Sequence, residues 1–142
     1  MGSSRSARYC AAMSQENVEI MRRSMDAFNR RDRTAWLELR GEPHEVKPLP
    51  DWPEQETQGG EAAWDLYVGV ADAVAIEFEA DLVDAGPDKV LAHQRNTGRG
   101  RTSGAEVELD YWIVITFRDG VIVRDEWFSN RPEALEAAGL AE

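Results

Sequence analysis

Two hydrophobic periods divide this chain. Apolar residues first recur every three or four positions, and after Val74 they alternate. From Ser14 onwards Val18, Met21, Met25 and Phe28 share one face with charges between them, which predicts an amphipathic helix with Ser14 as its N-cap. "NRRD" breaks this helix, and Asp32 is suited to cap a second, short one bearing Ala35, Trp36 and Leu39. A third is predicted over residues 61–73, with Ala63, Trp64, Tyr67, Val68 and Ala71 together. Between the second and third lies "GEPHEVKPLPDWPEQETQGG". Its prolines predict extended chain, with one short strand about His44 to Leu49 kept at a sheet edge.

The alternating half predicts four strands, in "AIEFEADLV", "KVLAHQRNT", "AEVELDYWIVITF" and "VIVRDEWFS". The third carries Val107, Leu109, Tyr111, Ile113, Ile115 and Phe117 on one face. "RDG" joins it to the fourth, because an Asp-Gly pair tolerates positive φ. Strands paired across a short turn share faces, so Val121, Val123, Asp125 and Trp127 are expected to point inward. Pro132 opens a closing helix that ends near Gly139. An antiparallel meander needs one face covered, and the three helices are the available cover. The expected fold is therefore α+β: a curved antiparallel sheet around a long helix, with an opening at one end.

A chain of 142 residues is one domain with room for a real core. "MGSSRSARYCAA", residues 1–12, reads as a flexible N-terminal extension ahead of a domain spanning 13–142. Sixteen basic against twenty-seven acidic residues give a charge of −11, which opposes binding to phosphate backbones or anionic lipid. No nucleic-acid or membrane partner is expected, and no apolar run approaches the ~18 residues of a membrane span. The lone Cys10 cannot form an internal disulfide, which fits a reducing, cytoplasmic setting.

"MSQENVEIMRRSMDAFNRRD", "PLPDWPEQETQGG" and "ITFRDGVIVRDEWFSNRPEALEAAG" together resemble the SnoaL-like branch of the nuclear transport factor 2-like (NTF2-like) superfamily. The resemblance implies a cone-shaped fold with an internal pocket, and commonly a homodimer. Three chemistries found in that superfamily lack their residues here. The ketosteroid isomerase tyrosine falls at Ser24, its base near Lys47 or Pro48, and its oxyanion-stabilising acid near Ile113. The limonene-epoxide hydrolase arginine and aspartates fall on Gln94, Asn96 and Trp127, and the polyketide cyclase aspartate also falls on Trp127. None of the three signatures is kept at the matching positions.

Asp125 lies two residues before Trp127, on the same face and roughly 6.5 Å away. As a catalytic acid/base it would need a pKa raised by apolar burial among Val123, Trp127 and Tyr111; otherwise it is a strand-end carboxylate, solvated or paired with arginine. Gln94 and Asn96, on one face, suit either a ligand or a cross-strand network. The resemblance sets His44 near the pocket entrance and Tyr111, Ile113 and Trp127 on its wall. Trp112 and Val114 face outward, an apolar patch suited to a homodimer through the sheet. No His, Cys and carboxylate cluster has metal-ligand spacing, so neither metal nor cofactor is expected. The expected function is binding of a hydrophobic small molecule in an apolar, aromatic pocket. An enzyme of the cyclase, isomerase or epoxide hydrolase kind using Asp125 is the first alternative, and a protein-interaction module the second.

Overall fold

The computed structural model describes residues 3–49, 57–74, 80–99 and 104–140. The elements run α1 (Ser3–Asn29), α2 (Arg33–Glu38), β1 (Arg40–Lys47), β2 (Thr57–Gln58), α3 (Gly60–Val74), β3 (Ala80–Asp84), β4 (Lys89–Arg99), β5 (Glu106–Arg118), β6 (Val121–Phe128) and α4 (Arg131–Ala137). The helix α1 begins earlier than its hydrophobic period, so Ser14 lies within it and is not its cap. Its buried residues Met21, Ser24, Ala27 and Phe28 keep the predicted spacing of three and four. Asn17 Nδ2 donates to the Pro87 carbonyl at 2.9 Å, tying α1 to the β3–β4 turn. Asp32 caps α2 as expected, its Oδ1 accepting from the Ala35 amide at 3.1 Å.

Strands β3 to β6 form the expected antiparallel meander, within a larger six-stranded sheet ordered β2-β1-β6-β5-β4-β3. The sheet is mixed and not wholly antiparallel, because β1 runs parallel to β6. Nor is the proline-rich strand an edge: two-residue β2 pairs outside it. Proline is tolerated there because Pro43 falls inside a break in register, between the Arg40–Ile122 and Glu45–Arg124 pairs, where ladder donors are not required. Gly41 lies in the same break. A Cβ on it would sit 2.8 Å from Val121 Cγ2, so a larger residue would push β1 off β6.

The turn into β6 is the expected Asp-Gly hairpin, with φ of 52° at Asp119 and 79° at Gly120. One residue further on the parity changes. Thr116 pairs with Arg124 but Phe117 pairs with Ile122, which leaves Val123 as an extra, bulged residue. Ile122 therefore joins Asp125 and Trp127 in the interior, while Val121 and Val123 are only half-buried. The expected inward direction holds at Asp125 and Trp127 and is overturned at 121 and 123.

One core lies between the sheet and helices α1, α2 and α3, with Trp36, Val46, Val90, Ile115 and Ile122 almost wholly enclosed. A second, smaller one lies on the sheet's other face, where α4 packs Ala134 and Ala138 on Leu91 and Val114. Trp112 and Phe128 pack against this cluster, and the Trp112 ring also stacks on His93 at 4.3 Å. The outward apolar patch expected at Trp112 and Val114 is thus covered from within the chain. Sequence alternation marks a face as apolar but does not say which element covers it.

The bulge gives a direct test. Ile122→Ala should cost about 2–4 kcal/mol in urea unfolding, and Val123→Ala less than about 1 kcal/mol. Equal costs, or the reverse order, would mean that β6 has no bulge.

Candidate functional site

Cross-strand register builds one wall of a site from β4, β5 and β6. Gln94 pairs with Tyr111, Ile113 with Trp127, and Ile115 with Asp125, all six buried on the inner face. Opposite them stand Met21, Met25 and Phe28 of α1, Trp36 of α2 and Tyr67 of α3. Between the two walls is a cavity of about 40 Å³. A buried water needs roughly 10–15 Å³ on this measure, so the space admits about three waters or a small polar group.

Asp125 is 2% exposed, and its Oδ2 accepts a 2.9 Å hydrogen bond from the Tyr67 hydroxyl. That hydroxyl in turn accepts from Trp127 Nε1 at 3.0 Å, so an indole, a phenol and a carboxylate form one polarised chain. His44 Nε2 lies 3.7 Å from the same Oδ2, in contact with it but beyond hydrogen-bond range. Asp125 Oδ1 is buried with no protein partner.

Burial alone would push the Asp125 carboxyl up, but the contact with His44, the charge of Arg40 and the Tyr67 hydroxyl together hold it below the ordinary carboxylate value. The direction is opposite to the rise that an acid/base role would need. Val123 has turned away with the bulge, and the groups that remain are polar partners. Asp125 is accordingly ionised at neutral pH. The Tyr67 hydroxyl is pushed the other way, by burial first and by the Asp125 charge second, so it stays a donor.

Arg40 enters the cavity wall from the start of β1. Its Nη1 donates to the Trp36 carbonyl at 2.8 Å and its Nη2 to Ser24 Oγ at 2.9 Å. The guanidinium carbon lies 3.2 Å from the Trp36 ring centre, a cation–π contact. Burial lowers its pKa to about 10, so it remains charged at neutral pH. Its Nε is buried and has no protein partner.

Of the residues singled out from the sequence, Gln94, Ile113 and Asp125 line the cavity. Tyr111 and Trp127 are buried on the same face without lining the cavity, their rings 5.4 Å apart, and the Tyr111 hydroxyl has no protein partner. His44 is fully buried, edge-on to Trp36, and is not at an entrance. Asn96 pairs with Leu109 along the β4–β5 ladder, and its side chain lies outside the described residues. Sequence reading missed Arg40. An arginine beside a glycine at a helix end carries no periodic signal, and only the parallel β1–β6 pairing brings it to this wall. Among the described residues no group of three His, Cys, Asp or Glu is placed to hold a metal ion.

The profile of the SnoaL-like domain matches residues 21–125. The chain belongs to the SnoaL-like family. No functionally curated protein matches its sequence. Among solved structures, an NTF2-like protein from Burkholderia xenovorans LB400 is 25% identical, with a TM-score of 0.71 over 87% of this chain and 95% of that one. TerC, co-crystallised with polyporic acid, is 17% identical, with a TM-score of 0.68 over 87% and 98%. A Mycobacterium tuberculosis protein in complex with estradiol-17β-hemisuccinate is 15% identical, with a TM-score of 0.67 over 81% and 94%. These likenesses establish the α+β cone of this SnoaL-like domain. No described helix is long and apolar enough to cross a membrane.

The depressed carboxyl predicts a pH signature. Ionised Asp125 stabilises the fold above the ordinary carboxyl value of ~3.9, and that contribution is lost as pH falls through the lower folded value. The stability difference between wild type and Asp125→Asn, read by urea unfolding, should be constant near pH 7 and shrink below about pH 4. A difference that does not change with pH would mean that folding leaves the carboxyl unshifted, and one that grows as pH falls would mean that burial raises it.

Proposed function

We propose that this SnoaL-like domain binds a small, largely apolar molecule, or the polar end of a larger one, with Asp125 as its anchor. One observation carries the reading: Asp125 Oδ1 is a buried acceptor without a protein partner, on the wall of a cavity otherwise rich in methionine, aromatic and isoleucine side chains. Such a group costs free energy unless something donates to it. The proteins of the same fold that were solved with polyporic acid or a steroid ester support a pocket of this kind. Drug-sized ligands occupy roughly 300–1,000 Å³. A large ligand must therefore move Met21 and Met25, whose unbranched side chains adapt at small cost.

Catalysis is the second reading, favoured by the Asp125 oxygen that has no protein partner and faces the same wall as Gln94. It ranks second because a carboxyl held below the ordinary value is a weak base. In this reading Tyr67 and His44 orient the carboxylate, and Gln94 polarises an oxygen.

A thermal-shift screen of wild type and Asp125→Asn against small aromatic ketones, alcohols and acids, polyporic acid and steroids tests both. A ligand at a hundredfold excess over Kd contributes about 2.7 kcal/mol, equivalent to about 5–10 °C in a domain of this size. The expected result is a hit whose shift the variant at least halves. Hits indifferent to the variant would remove Asp125 from the site, and absence of any hit would count against binding. Turnover of a hit by wild type, lost in Asp125→Asn, would decide for catalysis.

Homodimerisation through the sheet, if this domain follows its superfamily, has to use the polar part of the outer face. That part carries Glu45, Lys89, Arg118, Arg124 and Glu126, because α4 occupies the apolar part. Light scattering at low and high salt should then show a dimer weakened by salt. A monomer at every protein concentration would exclude it.

A further inference from the structure

Among the described residues that line the cavity, Arg40 and Asp125 are the only two that carry charge at neutral pH. Each has part of its polar group committed to the protein and one buried atom that is not. The Arg40 terminal nitrogens serve Trp36 and Ser24, leaving Nε–H as a buried donor. Asp125 Oδ2 serves Tyr67, leaving Oδ1 as a buried acceptor. The charges cancel, so the cavity is neutral overall while still offering a donor and an acceptor. Because the two charges cancel, the cavity gives a net anion or a net cation no Coulombic gain to offset its desolvation. The matching occupant is neutral and bears both an acceptor and a donor. A ketone beside a hydroxyl does so within the small volume available.

Resting on the small-molecule reading above, we infer that the cavity receives a neutral hydroxycarbonyl head group. Arg40 Nε–H donates to its carbonyl oxygen and its hydroxyl donates to Asp125 Oδ1. The rest of such a molecule lies against Met21, Met25, Phe28, Ile113 and Ile115, which supply apolar contact without further polar demands. Gln94, on the same wall, borders the head group. Neither Arg40 nor its pairing with Asp125 corresponds to a catalytic position carried by the isomerase, hydrolase or cyclase comparisons above.

A site that hydrogen-bonds both functions discriminates strongly against analogues lacking either, because a buried group is then left unpaired. The test is a set of neutral probes sharing one phenyl ring: 2-hydroxyacetophenone, acetophenone and 2-phenylethanol, with mandelate as the anionic control. Binding is followed by the methyl NMR signals of Ile113 and Ile115 in the wild-type protein. The hydroxyketone should bind at least tenfold more tightly than acetophenone or 2-phenylethanol, and more tightly than mandelate. Arg40→Met, accepted only if its methyl spectrum is native-like, should bring the hydroxyketone down to the level of the alcohol. Neutral probes binding within threefold of one another would overturn the head-group inference while leaving small-molecule binding intact. That is also the result expected if a buried water bridges the two atoms. No methyl shift with any probe would overturn both.

Discussion

The structure turns on a buried carboxylate that stays charged. Moving an ionised group out of water costs several kcal/mol unless nearby groups compensate. For Asp125 the compensation comes from three directions: Tyr67 on α3, His44 and Arg40 on β1, and, through Tyr67, the indole of Trp127 on its own strand. The helix α3 and the strand β1 are consequently constrained by electrostatics as well as by packing. The aromatic rings of Phe28, Trp36, Trp64 and Tyr67 meet edge to face around this cluster, which fixes the Tyr67 hydroxyl where the carboxylate needs it. A core that encloses so many polar groups gives up part of its apolar burial at this point.

The two faces of the sheet divide the labour. The inner face holds the cavity, and the outer face is closed over its apolar part by a seven-residue helix capped by Asn130. The bulge at Val123 sits at the junction. It lets β6 leave a tight hairpin with Ile122 inward and still present Asp125 and Trp127 to the same interior. Without the extra residue one of those two sets would face the solvent, because a shift of one residue exchanges the faces of a strand.

Much of this fold was legible because its elements obey simple periods: the three helices, the Asp32 cap, the Asp-Gly hairpin and the inward aspect of Asp125. What escaped was decided by contacts distant in sequence. The parallel seating of β1 on β6 depends on a close approach at Gly41, which no local pattern announces. The ionisation of Asp125 depends on Arg40 and His44, more than eighty residues earlier in the chain. His44, beside prolines, has the composition of an exposed loop, yet the parallel pairing carries it wholly inside. Trp112 was correctly read as outward, but its cover comes from a helix whose docking site the sequence does not specify.

The parallel β1–β6 junction also governs when the site comes into being. Every strand pairing from β3 to β6 closes a short loop, whereas β1 must wait for β6 before it has its parallel neighbour. Closing so large a loop is slow relative to forming the meander. The cavity therefore joins parts of the chain that lie far apart: the meander alone carries Gln94, Ile113, Ile115 and Asp125, and Arg40 reaches them only across the β1–β6 junction.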